Sequence, residues 1–326
     1  MKTSSLQYSL FAIVLVALIA ALPAHAQTFG GGQLRIISPY PPGGGTDTLG
    51  RILAQRYTER FGHPAIVENR AGANGTIGAA FVAKAPGDGL TLLLVPAGYA
   101  ANPSLYKNLP YDQWRDLAPV SLLASGPLVL VISPSLPVRS VKELIALARA
   151  RPGELNFGTS GSGSIPHLSA ELFATMAGIK ITHVPYQGPS AAVADLMSGQ
   201  VQLYFMNVTQ SVPLVAAKRL RALGVTTPER SPAASEIPTI AEGGVKGYDM
   251  TNWYGMLVPA TTPRAVIATM NAEVRVILQL PETRKQVAAT GMLIEATSAE
   301  QFAEFLKKEA AKYVRVIEAA GIKGTL

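Results

Sequence analysis

The chain has 326 residues, of which 48% are hydrophobic and 15% are charged, and its formal net charge is +7. This composition is too apolar for a disordered protein and suits a compact α/β protein with many tight turns. The absence of cysteine excludes disulfides, thiolate catalysis and cysteine metal sites. The basic residues are scattered and do not cluster with aromatic residues, so we expect no nucleic-acid partner.

The first 26 residues have the pattern of a secretory signal peptide. Lys2 supplies the positive start, an apolar run follows at Leu10–Leu22, and Ala24-His25-Ala26 has the small-x-small form of a cleavage site. The apolar run is short for a membrane span. We therefore expect cleavage after Ala26 and export of a mature chain of roughly 300 residues, a length that favours two domains.

The stretch from Leu34 to Arg51 reads as a strand, a glycine-rich turn and the start of a helix. Gly43–Gly45 allow unusual backbone angles and let a ligand approach the main chain closely. Either Thr46 or Asp47 is predicted to cap the helix. Such a turn directs free N–H groups at one point, and the helix dipole adds positive potential there. The sequence therefore predicts a site for a carboxylate or a phosphate.

A second stretch of the same kind lies at Asn156–Ala174. A short strand ends at Phe157, glycines alternate with threonine and serine over residues 158–164, and a helix follows. Two anion-receptive loops so far apart in one chain predict two lobes that face each other across a cleft. The candidate residues of this second loop are Thr159, Ser160, Gly161, Ser162 and Gly163.

The alternation of strands and helices predicts how the chain builds these lobes. Three strand–helix units up to Val95 predict a parallel sheet, and ligands bind beyond the carboxyl ends of such strands, so Gly98 is expected near the first loop. The alternation restarts after Gly126-Pro127, and the aromatic strand Asn252–Val258 is a candidate return, which would give a hinged cleft. We therefore expect lobe 1 over residues 27–126 and 251–326 and lobe 2 over residues 127–250.

Capping patterns and aromatic residues give further expectations. Ser140 and Thr239 each begin a capping box, and Ser298 can cap a C-terminal helix, so we predict helices after Ser140, over residues 238–242 and after Ser298. Four aromatic residues could line the cleft, although packing in the core or at the hinge explains each of them as well. These residues are Tyr40, Tyr99, Tyr186 and Trp253.

The sequence gives little support for catalysis. The first loop has no lysine for a Walker motif, and residues 158–164 do not fit the dinucleotide pattern G-x-G-x-x-G. The nucleophile-elbow pattern G-x-S-x-G fails at Ser160 and at Ser162, each by one glycine, although His167 and Asp195 could complete a triad. A secreted α/β serine hydrolase is therefore the alternative enzyme. The histidines lack metal-ligand spacing, and we expect neither a metal nor a cofactor.

Several motifs occur in an order and spacing that extend over essentially all of the mature chain. The motifs are Tyr40–Asp47, Glu68–Gly75, Asp116–Val120, Gly158–Gly163 with His167, His183–Gly188, Pro238–Glu242 and Trp253–Gly255. In this joint pattern the chain resembles the periplasmic substrate-binding proteins of tripartite tricarboxylate transporters, the Bug family first noted in Bordetella.

The resemblance implies a type II periplasmic-binding-protein fold, in which two lobes close on a ligand like a Venus flytrap. Family members hold a carboxylate through main-chain N–H groups, hydroxyls and ordered waters from the two glycine-rich loops. The implied function is reversible capture of a small carboxylate in the periplasm and its delivery to a membrane permease, with no enzymatic step. Carried over to this chain, the ligand-binding residues are Tyr40, Gly43, Gly44, Gly45, Thr46, Asp47, Gly98, Thr159, Ser160, Gly161, Ser162, Gly163, His167 and Asn207.

One position departs from the family's pattern. After the strand Val201–Phe205 the family often has an acidic residue before asparagine, whereas this chain has Met206-Asn207. An acidic group there could receive a ligand amine or hydroxyl, whereas methionine cannot, which disfavours an amino acid and favours a simple or aromatic carboxylate. The expected ligand is therefore a di- or tricarboxylate or an aromatic acid. A binding protein that feeds a sensor kinase would use the same cleft, so that alternative stays open. We expect a monomer by default.

Overall fold

Residues 32–326 of the computed structural model form two α/β lobes, each built on one β-sheet. The predicted signal peptide and its cleavage site lie outside these described residues. Within the described part of the chain, no helix is both long enough and apolar enough to cross a membrane.

The elements follow the predicted alternation of strands and helices. The strands are β1 (Leu34–Ser38), β2 (Ala65–Asn69), β3 (Thr91–Pro96), β4 (Leu117–Gly126), β5 (Leu128–Ile132), β6 (Asn156–Thr159), β7 (Thr182–Pro185), β8 (Leu203–Asn207), β9 (Arg221–Val225), β10 (Asn252–Pro259) and β11 (Leu293–Ile294). The helices are α1 (Gly45–Phe61), α2 (Thr76–Ala83), α3 (Asn102–Leu105), α4 (Val141–Ala150), α5 (Ile165–Ala177), α6 (Pro189–Ser198), α7 (Val208–Ala216), α8 (Arg264–Gln279), α9 (Pro281–Ala289) and α10 (Ala299–Ala319).

Each sheet combines a parallel part with antiparallel pairing, which in lobe 1 includes the edge strand β11 against β4. The sheet of lobe 1 has the order β11-β4-β10-β3-β1-β2, and the sheet of lobe 2 has the order β7-β6-β8-β5-β9. Strand β1 is parallel to β2 and β3, and β6 is parallel to β7 and β8. Strands β10 and β5 run antiparallel to their neighbours. The chain passes to lobe 2 between β4 and β5 and is back in lobe 1 at β10.

This topology brings the glycine-rich loops to facing edges of the two lobes. In lobe 1, β1 leads through the first loop into α1. In lobe 2, β6, β7 and β8 lead into α5, α6 and α7. Helices that follow parallel strands begin beyond the carboxyl ends of those strands, which is where open α/β sheets bind ligands.

The C-terminal helix α10 fixes strand β10 in lobe 1. Trp253 of β10 is fully buried and packs edge-on against Phe302 and Phe305 of α10. Its indole N–H donates to the Glu309 carboxylate at 3.0 Å, and the Tyr313 hydroxyl donates to the same oxygen at 2.7 Å. Trp253 therefore belongs to the core of lobe 1, and the expectation that it could line the cleft is wrong.

Two of the three predicted capping patterns begin helices. Ser140 caps α4, and Ser298 forms a complete capping box at the start of α10. At Thr239 the hydroxyl accepts a hydrogen bond from the Glu242 N–H, but residues 238–242 form a β-bridge at Thr239 followed by turns, and no helix. The main chain there pairs with Val225, whose N–H and carbonyl oxygen bond to either side of Thr239. This pairing holds the segment out of the helical conformation.

Candidate ligand-binding site

A cavity lies between the lobes, where the two glycine-rich loops meet. Its volume is about 80 Å³, more than a single water needs. Among the described residues 32–326, no Asp, Glu, Lys, Arg or His lines it. The lining residues are Tyr40, Pro41, Gly44, Gly45, Thr46, Pro96, Asn252 and Tyr254 from lobe 1, and Ser160, Ser164, Ile165, Pro166, Gly188, Pro189, Tyr204, Phe205 and Asn207 from lobe 2.

Four helices of the described chain begin at this cavity. The N-cap residues are Gly44 for α1, Ser164 for α5, Gly188 for α6 and Asn207 for α7, and none of them caps its helix with its side chain. The first-turn N–H groups of a helix have no partner within it, and the helix dipole places positive potential at the same end. The cavity is therefore receptive to an anion although no cationic side chain lines it.

The first loop is shaped by Asp47, which does not line the cavity. The prediction that Thr46 or Asp47 caps α1 is wrong, because Gly44 is the N-cap and Asp47 turns back toward the loop. Its carboxylate accepts hydrogen bonds from the Gly43 N–H, from Arg51 and from Asn69, all at 3.0–3.1 Å. Burial alone would raise the pKa of Asp47, but these hydrogen bonds outweigh it and hold the pKa below its usual value.

A tyrosine of β10 approaches the start of α1. An added Cβ at Gly45 would lie 2.0 Å from the Tyr254 hydroxyl oxygen, so only glycine leaves room for that hydroxyl. The Asn252 amide donates to the Tyr254 hydroxyl at 2.8 Å and, across the cleft, to Asn207 Oδ1 at 3.2 Å. The sequence interpretation missed Asn252 and Tyr254, although Tyr254 lies within a matched motif.

In the second loop, most polar groups are bonded within lobe 2. The buried Thr159 hydroxyl pairs with His183 Nε2 at 2.7 Å and accepts from the Gly161 N–H at 3.2 Å. The Gly161 carbonyl oxygen accepts from the Ser164 hydroxyl at 2.6 Å. Of the five residues predicted here, the structure places only Ser160 in the cavity lining. Thr159, Gly161, Ser162 and Gly163 lie outside it.

His167 supports the second loop from behind. Its Nδ1 accepts a hydrogen bond from the Gly163 N–H at 3.1 Å, so its proton is on Nε2, which lies 3.4 Å from Glu171. Its ring stacks on His183 at 3.9 Å between centroids. Burial, with a smaller effect of His167, lowers the pKa of His183 to about 3. His167 is therefore outside the cavity lining and is not placed to take a proton from Ser160.

Gly98 and Asn74 lie where the lobes touch beside the cavity. An added Cβ at Gly98 would lie 3.3 Å from the Gly163 carbonyl oxygen, so Gly98 contacts lobe 2 and does not line the cavity. The Asn74 amide donates to that same oxygen at 3.0 Å, and Tyr40 donates to Asn74 at 3.1 Å. The lobes are therefore hydrogen-bonded across the cleft, in a closed arrangement.

The other tyrosines divide between the cavity and the core. The Tyr186 hydroxyl donates to Asp195 at 2.6 Å, and Tyr99 is buried, so neither lines the cavity. Tyr204, which the sequence interpretation missed, lies beside Ser160 in the lining. Burial raises the pKa of Tyr204 and of Tyr254, so both hydroxyls keep their protons and can donate to an anion. Among residues 32–326, no group of three or more His, Asp or Glu side chains could hold a metal ion.

Comparisons with known proteins agree with this fold. Residues 49–322 match the family described as the tripartite tricarboxylate transporter family receptor, TctC, and the chain belongs to that family. Protein BugT of Bordetella pertussis is 35% identical over 305 residues, which cover 93% of this chain and 94% of BugT. The resemblance to the Bug family is thus confirmed.

Solved structures support the same assignment. The structure of R. palustris Rpa4515 with adipate has a TM-score of 0.85 and 38% identity, and the match covers 89% of this chain and 98% of that one. MatC (Rpa3494) from Rhodopseudomonas palustris, with bound malate, has a TM-score of 0.82 and 28% identity, with 89% and 100% covered. The chain therefore has the two-lobed fold of the periplasmic solute-binding proteins.

Proposed function

We propose that this protein captures a small carboxylate in the cavity between its lobes and delivers it to a membrane permease of the tripartite tricarboxylate type. The observation that carries the proposal is the convergence of four helix N-termini on a cavity without charged side chains. Neutral donors and dipoles stabilise an anion without a buried counter-charge. A ligand held in this way is also readily released to a permease.

The lining favours an acid with an apolar segment. Pro41, Ile165 and Phe205 present hydrocarbon to the cavity, which suits an alkyl or aryl chain. The lining offers no carboxylate to an ammonium group, and burying an unpaired charge is costly, so an amino acid is disfavoured. The relatives described with adipate and with malate support a dicarboxylate.

Export and hinge closure complete the proposal. The signal-peptide pattern and the periplasmic location of the family support action in the periplasm, with a monomer as the default expectation. Residues 127–250 would close against residues 27–126 and 251–326 about the two crossings between the lobes. A partner sensor kinase would read the same closed form, and uptake of the labelled acid by cells with and without this gene separates transport from signalling.

The proposed activity is reversible binding, in which no covalent bond is made or broken. The competing hydrolase would need His167 to activate Ser160 or Ser162. However, His167 Nδ1 already accepts a hydrogen bond from the Gly163 N–H, and the Asp195 carboxylate accepts one from the Tyr186 hydroxyl. Stoichiometric binding of an acid, with no turnover of its esters, is the expected result. Ester hydrolysis that Ser160→Ala abolishes would instead favour the hydrolase.

The test is a thermal-shift screen of residues 27–326 against mono-, di- and tricarboxylates, aromatic acids and amino acids. A ligand at a hundred times its Kd adds about 2.7 kcal/mol of stability, which raises the melting temperature visibly. Thr46→Val and Ser160→Ala remove hydroxyls from the lining and should reduce the shift. Thr283→Val, at a buried threonine of α9 outside the cavity, is the matched control and should leave the shift unchanged.

If no acid shifts the melting temperature, a ligand carried through purification is the remaining explanation. Mass spectrometry of small molecules released on denaturation detects such a ligand. A flat screen together with no released acid would overturn the proposed function.

A further inference from the structure

A groove separate from the ligand cavity lies between helix α5 of lobe 2 and helix α10 of lobe 1. Its volume is about 330 Å³, which is within the usual range of pockets in proteins. Within the described chain, it shares no lining residue with the ligand cavity. Its two walls include Leu172, Thr175 and Met176 of α5 and Lys312, Arg315 and Val316 of α10.

Helix α5 connects this groove to the ligand cavity. Its first residues, Ile165 and Pro166, line the cavity, and its last turn lines the groove. At about 1.5 Å per residue, the two ends lie roughly 15 Å apart along one rigid element. The Tyr248 hydroxyl donates to the Ser169 carbonyl oxygen at 2.9 Å, so the chain segment before β10 is held to the same helix. The lobe 2 wall of the groove therefore moves with the cavity wall.

The shape of the groove depends on closure of the lobes. Lys312 Nζ of α10 lies 2.9 Å from Glu309 in its own helix and 4.0 Å from Asp249 of lobe 2, so the second contact joins the lobes. Rotation of lobe 2 away from lobe 1 would separate Lys312 from Asp249 and change the distance between α5 and α10. A partner that contacts both walls consequently binds one arrangement of the lobes better than the other.

The charge and the exposed surface of the groove favour an acidic protein segment. Its lining contains the cations Lys312 and Arg315 and the single acid Asp249. Lys312 is paired with acids, whereas among residues 32–326 no acidic side chain forms an ion pair with the exposed Arg315. Leu172 and the 39% exposed Met176 add apolar surface on the opposite wall. Arginine and methionine are enriched in protein interfaces, and arginine binds carboxylates with two parallel hydrogen bonds.

We propose that this groove is the surface through which an acidic periplasmic segment of the permease recognises the closed, loaded protein. The segment places a carboxylate on Arg315 and an apolar side chain between Met176 and Val316. This inference rests on the proposed function and adds to it the docking surface and the chemical character of the partner. Recognition across both walls favours the loaded form, because the walls are correctly spaced only when the lobes are closed.

The test reverses the charge of Arg315 and measures transport separately from ligand binding. The probe is the radiolabelled form of the acid that gives the largest thermal shift, supplied to cells that carry the permease and either the wild type or a variant. Arg315→Glu should lower the initial rate of uptake by about tenfold, because it replaces an attraction to the acidic segment by a repulsion. Its Kd for the acid in calorimetry should stay within about twofold of the wild type, since Arg315 is exposed and outside the ligand cavity.

Two further variants make this test specific to the groove. Met176→Glu places a negative charge on the opposite wall and should also lower uptake with little change in the Kd. Lys307→Glu is the matched control, because Lys307 is an exposed cation of α10 outside the groove lining, and its uptake should equal that of the wild type. All three side chains are exposed, so the melting temperatures of the variants should match that of the wild type.

Several results would overturn the inference and leave the proposed function standing. These are normal uptake in Arg315→Glu and Met176→Glu, an equal loss of uptake in Lys307→Glu, or a loss of uptake that an equal loss of acid affinity explains. A second binding event in the calorimetry of the wild type, absent in Arg315→Glu, would assign the groove to a free acid and likewise overturn docking. If no acid binds the wild type and none is released on denaturation, the proposed function itself fails.

Discussion

Replacing Gly45 by alanine should damage the cavity through a single methyl group. The added Cβ would lie 2.0 Å from the hydroxyl oxygen of Tyr254, 2.5 Å from its Cζ and 2.9 Å from its Cε1. Tyr254 is 3% exposed and packed in the core of lobe 1, so its rigid ring cannot swing into solvent. Either the ring or the first turn of α1 must move, and both line the cavity.

The loss of folding stability in Gly45→Ala follows from the overpacking that the added methyl group causes. Overpacking a close-packed site by one carbon costs about 1–3 kcal/mol. At about 2 °C per kcal/mol for a chain of this size, the melting temperature should fall by about 2–6 °C. A moved Tyr254 also loses its hydrogen bond from Asn252 and its position beside the proposed carboxylate site. We therefore expect ligand affinity to fall about tenfold or more.

Gly50→Ala is the matched control in the same helix. Gly50 lies outside the cavity lining, and an added Cβ there would make only van der Waals contacts of 3.4–3.6 Å with Leu94 and Val67. Thermal unfolding and calorimetric titration of both variants should show a loss for Gly45→Ala and little change for Gly50→Ala. Wild-type affinity in Gly45→Ala, or equal losses in both variants, would refute this reasoning.

Three other predictions concern residues outside the cavity lining. Because the pKa of His183 lies near 3 in the folded protein and near 6.5 when unfolded, stability should fall as pH drops below about 6.5. The melting temperature of His183→Phe should therefore fall less between pH 7 and pH 5, and an equal fall would contradict this. Asn74→Gly removes the hydrogen bond to Gly163 and should speed ligand dissociation about fivefold in stopped flow, whereas an unchanged rate would refute a role in closure. Glu309→Leu leaves Trp253 without its acceptor and should cost about 1–3 kcal/mol in urea unfolding with the ligand Kd unchanged, and a weakened Kd at full stability would oppose this.

The fold was largely predictable because its signals are local. Strand, glycine turn and helix follow one another at Leu34–Arg51 and again at Asn156–Ala174, and each unit forms as its pattern predicts. The exception at Thr239 has a tertiary cause. The capping bond to Glu242 forms, yet pairing with Val225 takes the main chain that a helix would need. Here the pairing with a distant strand overrides the local preference for a helix.

The cavity was only partly predictable, because its far wall comes from β10. Successive residues of a strand point to opposite faces, so the choice between Trp253 and Tyr254 depends on which face the lobe 1 core occupies. The sequence carries no local signal for that choice. The role of His167 could not be predicted from the sequence either, because the hydrogen bond that it accepts from the Gly163 N–H depends on the conformation of the loop. Contact of any of these residues with a ligand stays a prediction.

An uncharged cavity that binds a carboxylate through helix N-termini and neutral donors should distinguish an acid from its uncharged analogue. The most direct test is a calorimetric titration of the mature protein with the best acid from the screen and with its primary amide, which has nearly the same shape but no charge. Hydrogen bonds to a charged group are roughly twice as strong as neutral ones, so the acid should bind with a Kd lower by about a hundredfold. An amide that binds as tightly as the acid would contradict the account.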